Sequence, residues 1–329
     1  MRPFTYARAA DLSSAIAEAS ADGTSLLAGG TELLNWMKEG IAAPTRVVDI
    51  NALSELDYIE LGATELRIGA LARMSAVAAH PDVEREFPAL RVALEKSASQ
   101  QIRNMASMGG NLLQRTRCPY FRAEVELPCN KRVPGSGCAA LGGEDRSLAV
   151  LAGSERCIAT HPSDAAVALA MFDAVVRIHG PSGAREVPIR ELYVLPGATP
   201  HVETVLAPGD VIVEIALPRS RMTSSSHYLK VRERASYEFA LVSAAAGVES
   251  DGRIIRAAKI ALGGVAPKPW RLMSAEANLV GVSLDDEAAM RRALARDFDA
   301  ARPGRQNGFK IELAKRTAIR ALQVAGGVA

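Results

Sequence analysis

The sequence predicts an α+β protein of about two domains, and three observations predict it. The chain has 329 residues, and a domain takes roughly 100–200. Residues 1–60 alternate helical and strand-like segments. Beyond a Ser-rich stretch at 220–226, three consecutive strand-like runs precede two helical ones, the order of an antiparallel sheet with helices laid on it. The expected domains are therefore 1–219 and a smaller 227–329.

Each element has its own signal. Asp11 can cap a helix over 12–21, with Gly23 just past its end. SLLA (25–28) reads as a short buried strand that runs into GGT and a helical stretch, ELLNWMKEG, closed by Gly40. RVVDI (46–50) and LRIGA (66–70) are strands, followed by helical patterns near 75–80 and 88–98. Residues 114–157 break the pattern. They hold every cysteine, with Pro119, Pro128 and Pro134, and read as a loop-rich insertion. Ser163 or Asp164 can then cap an Ala-rich helix to about 173, ahead of the strand AVVRIHG (174–180). DVIVEIAL (210–217) is a strand ended by Pro218, and SRMTSSS (220–226) reads as a linker. HYLKVRE, FALVSAAAGV and IIRAAKIAL suggest the antiparallel sheet, with helices near 285–297 and 309–325.

Composition excludes several classes. Lys plus Arg is 39 against 37 for Asp plus Glu, a formal charge of +2, which argues against a dedicated nucleic-acid binder. Aromatics are 5%, too few for base-stacking platforms. Apolar residues at 48% supply a core, so the chain is not a disordered one. No stretch approaches the roughly 20 apolar residues of a membrane span. The N-terminal residues lack an apolar signal region, being interrupted by Asp11 and Glu18. The chain is thus expected not to export itself. A reducing compartment during synthesis favours metal or redox use of cysteine over disulfides.

Two glycine pairs could carry chemistry. LLAGGTELLNWMK (26–38) is a strand, a glycine turn and a helix start. Such a turn can aim successive backbone N–H groups at an anion, with the helix dipole helping and Thr31 adding a hydroxyl. SMGGNLL (107–113) is the second, and two such turns could hold the two phosphates of a dinucleotide. A lone Gly-Gly is most often only a tight turn. GSGCAA (135–140) matches a dinucleotide fingerprint in letters only, because no strand precedes it.

Cys118, Cys129, Cys138 and Cys157 lie at gaps of ten, eight and eighteen residues, with no C-x-x-C knuckle and no ferredoxin run. Spacing leaves three readings open: a four-thiolate iron–sulfur cluster, a four-thiolate zinc site, or unrelated buried cysteines. Residues 101–135 carry Arg103, Arg115, Arg117, Arg122, Lys131 and Arg132 against Glu124 and Glu126, a surplus of four positive charges. That suits an anionic cluster or a phosphate, or is simply a solvated basic loop. The five histidines show no metal-ligand spacing, and no Walker A or GxSxG motif is present.

LLAGGTELLNWMK and SMGGNLL together resemble the FAD-binding subunit of the molybdenum hydroxylases, the xanthine dehydrogenase family. RTRCPYFRAEVELPCNKRVPGSGCAA and CIATHPSD resemble, more narrowly, the flavin and 4Fe–4S subunit of bacterial periplasmic-type aldehyde oxidoreductases, as do KVRERASYEFALVSAAAGV and ALGGVAPKPWR. The resemblance covers nearly the whole chain. It implies a two-lobed PCMH-type FAD-binding domain followed by a CO-dehydrogenase-flavoprotein-like C-terminal domain.

The resemblance also implies site residues. The turn of Leu26, Leu27, Ala28, Gly29, Gly30, Thr31, Glu32 and Leu33 would wrap the FAD diphosphate, chiefly through the amides of Ala28 to Glu32. Ser107, Gly109, Gly110 and Asn111 would make the second phosphate and ribityl contact. Asp164 matches a carboxylate that contacts FAD, though it can equally be a helix cap. Lys230 matches a lysine near the flavin ring, though it can equally be a strand-surface lysine. Ile212 falls where the family places an apolar ring contact. Glu32 departs from the Asp or Asn often found there. Cys118, Cys129, Cys138 and Cys157 would ligate the 4Fe–4S cluster.

No cysteine is then left for a 2Fe–2S centre, and nothing resembles a molybdopterin domain. The implied partners are a large subunit with the molybdopterin cofactor, a small 2Fe–2S subunit and an external electron acceptor. The chain would not oxidise the organic substrate itself. Its compartment would be cytoplasmic, or periplasmic by co-export with a partner bearing a twin-arginine signal. The other function classes are a stand-alone flavin dehydrogenase or oxidase, and a zinc-stabilised assembly subunit without catalysis.

Overall fold

The computed structural model describes residues 1–328, and its architecture is the expected α+β. Three sheets organise it. Strands β1 (Thr5–Arg8), β2 (Thr24–Leu27) and β3 (Arg46–Asp49) form a small parallel sheet in the order β1-β3-β2. The helix Leu12–Ala19 crosses from β1 to β2. Asp11 caps it, accepting from Ser14 N at 2.7 Å, and the Ser14 hydroxyl returns a bond in a capping box.

The second sheet is antiparallel: β4 (Ile59–Leu61), β5 (Glu65–Gly69), β6 (Val175–Gly180), β7 (Gly183–Pro188) and β8 (Val211–Pro218), in the order β4-β5-β8-β6-β7. The helices Met74–Ala79, Pro88–Glu95 and Asp164–Met171 pack on it around Phe87, Leu90, Leu94 and Leu169, all fully buried. The Ala-rich face of Asp164–Met171 is buried over its entire length, so it serves as the central pillar.

The third sheet comprises β9 (Ser226–Val231), β10 (Val242–Asp251), β11 (Ile254–Gly263) and the short β12 (Trp270–Arg271), in the order β12-β11-β10-β9. Helices Glu287–Leu294 and Phe309–Ala325 supply its second core. Its other face shares the first core, to which it contributes Tyr228, Ala245 and Ala261.

Segment 220–226 is not the loose linker its composition suggests. It holds a short helix, Arg221–Ser224, and feeds directly into β9. The Thr223 and Ser226 hydroxyls bond locally instead of to water. Thr223 Oγ1 donates to Ser220 O at 2.8 Å, and Ser226 Oγ to Thr223 O at 2.7 Å. The Ala89 amide then donates to Ser226 Oγ at 3.3 Å, fastening this segment to the first core.

No helix or strand runs from Leu113 to Ser163. This insertion has its own small core of Cys118, Phe121, Cys129, Ala140, Leu148, Cys157 and Ala159. Side chain–backbone bonds stand where a ladder would. Asn130 Oδ1 accepts from the amides of Gly135 and Gly137 at 3.1 Å each, and its Nδ2 donates to Arg156 O at 3.0 Å.

Candidate functional site

The first glycine turn joins β2 to the helix Leu33–Lys38. Gly30 has φ +72°, the left-handed region that glycine enters without steric cost. Gly29 is pressed against other backbone: a Cβ there would lie 2.0 Å from Met105 O. Met105 directly precedes the second turn, so the two glycine pairs are neighbours in space. Arg73 and Asn51 fasten them. Arg73 donates to Met105 O at 2.6 Å and to Asn51 Oδ1 at 2.8 Å, while Asn51 Nδ2 donates to Ala28 O at 2.9 Å. Sequence reasoning missed both residues, because neither belongs to a glycine motif.

The two turns differ in what they offer. Among the described residues, none accepts from the amides of Ala28, Gly29, Gly30, Thr31 or Glu32. Five consecutive N–H groups are thus left available as donors. In the second turn the amides are already used. Met108 N donates to Ala72 O and Gly109 N to Ala70 O, at 2.9 and 2.8 Å, and Gly110 N donates to Ser107 Oγ at 3.3 Å. Asn111 N donates to Ser107 O at 2.9 Å. The second turn therefore offers close approach and side chains, and the first offers donors. The helix after the first turn has only six residues, so its dipole is small and the amides carry the attraction.

A buried polar chain links the second turn to the centre of the molecule. Ser163 Oγ donates to Asn111 Oδ1 at 2.6 Å and caps the helix Asp164–Met171, accepting from Ala166 N at 3.0 Å. Ser163 is thus the cap, which frees the next residue's carboxylate. Asp164 Oδ2 accepts from Ser97 Oγ at 3.0 Å and from Lys230 Nζ at 2.8 Å, and Oδ1 accepts from the Tyr228 hydroxyl. The side chains of Lys230 and Asp164 are 1% and 6% exposed, so Lys230 is not a surface lysine. Lys230 also donates to Lys96 O at 3.1 Å. Burial and the Asp164 charge push the Tyr228 hydroxyl far up, which keeps it a neutral donor. Ile212 lies apart, in the core of the second sheet beside Ile178.

Asp164 lines a cavity of about 640 Å³, together with Ser163, His161, Arg117, Cys118 and Phe239. This cavity lies between the insertion, the start of the Ala-rich helix and the loop 233–241 that joins β9 to β10. The His161 ring packs at a tilt of 56° against Tyr193 with centroids 4.4 Å apart, and its Nδ1 accepts from Ser163 N at 3.3 Å. Burial lowers its pKa to about 4. Below the ordinary histidine value of 6.5 the unfolded chain therefore takes up a proton that the folded chain refuses. Stability should fall as pH drops from about 6.5 to about 4, by about 3 kcal/mol over that window. Urea titrations across this range, compared with His161→Phe, check it. The substitution should flatten this part of the slope.

The four cysteines, scattered at uneven gaps in sequence, line one second, smaller cavity, closed by Tyr120, Phe121, Ala140 and Ala159. Cys129 and Cys138 face each other as an isolated antiparallel bridge. Hydroxyls cap three of the cysteine amides: Thr116 at Cys118, Ser136 at Cys129 and Ser154 at Cys157, at 3.2, 3.0 and 3.2 Å. None of the four is joined in a disulfide. Burial pushes the Cys118 thiol up to about 11, and that of Cys157 upward as well. Cys118 lines both cavities and so forms part of the wall between them.

Among the described residues, no three Cys, His, Asp or Glu side chains converge closely enough to hold one metal ion. An iron–sulfur cluster places each thiolate on a different iron and accepts a wider ring.

The basic surplus of the insertion is not solvated. Arg115 and Lys131 pair with Glu203, at 2.8 and 3.3 Å. Arg117 and Arg122 both reach Glu32, and Arg122 reaches Glu39 at 2.8 Å. Three acids from outside the insertion offset charge that the sequence presents as local excess.

Comparison with known proteins follows this geometry. Residues 2–220 match the family described as the FAD binding domain in molybdopterin dehydrogenase, and residues 226–325 match the CO dehydrogenase flavoprotein C-terminal domain. The chain is 48% identical over 320 residues to the aldehyde oxidoreductase FAD-binding subunit PaoB of Escherichia coli (strain K12), covering 96% of both. It is 27% identical to the glyceraldehyde dehydrogenase medium chain of Sulfolobus acidocaldarius, over 86% of this chain and 83% of that one. In fold it superposes on a chain of carbon monoxide dehydrogenase from Hydrogenophaga pseudoflava with a TM-score of 0.75 at 24% identity, covering 100% of this chain and 99% of that one. Quinoline 2-oxidoreductase from Pseudomonas putida 86 gives 0.76 at 23%, covering 99% and 98%.

Proposed function

The chain belongs to the FAD-binding subunits of the molybdenum hydroxylases, and we propose that it is the FAD and 4Fe–4S electron-transfer subunit of a heterotrimeric aldehyde oxidoreductase. A large subunit with the molybdopterin cofactor would oxidise the aldehyde, and a small 2Fe–2S subunit would relay the electrons. FAD supplies a junction where electrons arriving singly leave as a pair to an external acceptor.

The residues fit FAD. The unpartnered amides of Ala28 to Glu32 present donors of the kind a diphosphate needs, and Gly29 and Gly30 keep side chains out of its way. Ser107, Gly109, Gly110 and Asn111 would make the second contact, and Asn111 leads through Ser163 to Asp164. Lys230, held by Asp164, would be the buried positive charge that a reduced flavin ring needs. Leu26, Leu27 and Leu33 anchor the turn in β2 and in the helix after it.

Four thiols are the donor set of an iron–sulfur cluster, and what supports this reading is that Cys118, Cys129, Cys138 and Cys157 all line one cavity. Iron binding requires thiolates, so it must overcome the upward shift of Cys118 and Cys157 and would release protons. The shared wall at Cys118 puts these ligands next to the cavity that Asp164 lines.

Cys129→Ser tests the cluster. Iron content should fall to near zero while flavin occupancy stays near one per chain, read by metal analysis and by the flavin spectrum. Normal flavin reduction in the assembled variant, with lowered thermal stability, would make the cluster a structural staple. A variant that retains its iron would remove the ligand assignment.

A further inference from the structure

Glu32 occupies an unexpected place. It lies at the end of the first glycine turn, carries the last of the amides that would receive a diphosphate, and precedes the helix without a side-chain cap bond. A carboxylate beside bound phosphates is repulsive. Its side chain is 15% exposed, which limits screening by water.

Two arginines answer that charge. Arg117 Nη2 meets Glu32 Oε1, and Arg122 Nη2 lies 3.2 Å from Oε2. Arg122 also holds Glu39 at 2.8 Å. Backbone carbonyls fix the Arg122 guanidinium further, Thr116 O at 3.1 Å and Arg115 O at 3.4 Å. Gln114 supports Arg117 at 3.3 Å, and the Arg117 guanidinium lies over the Phe239 ring. Glu32, Glu39, Arg117 and Arg122 form a group whose formal charges sum to zero. Both arginines come from the Cys-rich insertion, and both acids come from the glycine turn and the helix it opens.

We propose that Arg117 and Arg122 make the Cys-rich insertion part of the diphosphate site, by neutralising Glu32 so that the first glycine turn can accept an anion. The inference rests on the FAD reading above. It makes the insertion serve flavin binding as well as its own cysteines. It also gives each charge change a sign. Removing an arginine leaves a net negative group beside the turn, and removing Glu32 leaves a net positive one.

The test is an FAD titration of the flavin-free full chain, followed by quenching of flavin fluorescence. Arg122→Met should weaken binding by about tenfold, and more at low salt. Glu32→Gln should bind as tightly as the wild type or more tightly. The double variant Glu32→Gln/Arg122→Met should return to within about threefold of the wild type, since its group is again neutral. Weaker binding by Glu32→Gln, or no recovery in the double variant, overturns the proposal, because a merely structural latch would be damaged by every one of these changes. If Arg122→Met does not fold, Glu32→Gln alone decides by its direction. Failure of the wild-type chain to bind FAD would instead remove the underlying reading.

Discussion

A Gly29→Val chain is expected to carry no flavin. The Cβ of any residue at Gly29 would lie 2.0 Å from Met105 O and 2.7 Å from Met105 C, both of them backbone atoms that no rotamer change can move. Relief requires parting the first glycine turn from the end of the helix Gln100–Met105, which leads into the second. Arg73 and Asn51 hold those two together, so the movement also breaks their bonds. The cost should exceed the 1–3 kcal/mol typical of overpacking, because backbone has to shift. Gly30→Val is the milder change. Its φ of +72° is strained for valine, by about 1–2 kcal/mol, but the nearest atom is the flexible Leu34 Cδ1 at 3.2 Å. Flavin-to-protein ratios of the purified variants should therefore rank wild type above Gly30→Val above Gly29→Val. Full flavin occupancy in Gly29→Val would contradict the packing of the two turns.

Lys230→Met should be the most destabilising single change at the polar centre. It leaves the Asp164 carboxylate buried without its cation, and breaking such a pair from one side costs about 3–5 kcal/mol. Ser97 and Tyr228 still donate to that carboxylate, which places the expected loss near the lower end, about 3 kcal/mol. Asp164→Asn/Lys230→Met should recover part of the loss, because no buried charge remains. Denaturant midpoints at neutral pH read this. A loss below about 1 kcal/mol in Lys230→Met would show that the pair is dispensable.

Much of the fold was legible because its signals are local. The capping pattern at Asp11, the alternating runs of the third sheet and the apolar helix after Ser163 each announce their element within a few residues. Elements that depend on tertiary contact were not legible. Strand β7 is largely exposed and exists by pairing with β6, and the short helices Pro81–Glu86 and Gln100–Met105 carry too few turns for a periodicity. The serines of 220–226 signalled a linker because composition does not reveal whether hydroxyls bond to water or to neighbouring carbonyls.

The site divides along the same line. The glycine turns were visible as motifs, but the unequal use of their amides depends on Ala70 and Ala72, which are remote in sequence. Lys230 was ambiguous because a strand lysine reads the same whether it faces water or Asp164. The convergence of the cysteines could not be read from gaps of ten, eight and eighteen residues, since an insertion without helices or strands has no period to project. Arg117 and Arg122 read as surplus charge, because Glu32 and Glu39 lie more than 80 residues away.

The central claim is that one chain holds both a flavin and a four-thiolate iron–sulfur cluster. The most direct test is flavin and iron quantified on one anaerobically purified sample of the chain. The account predicts close to one FAD and four irons per chain, with a flavin spectrum over a broad iron–sulfur absorption. Flavin without iron, persisting after reconstitution with iron and sulfide, would contradict it.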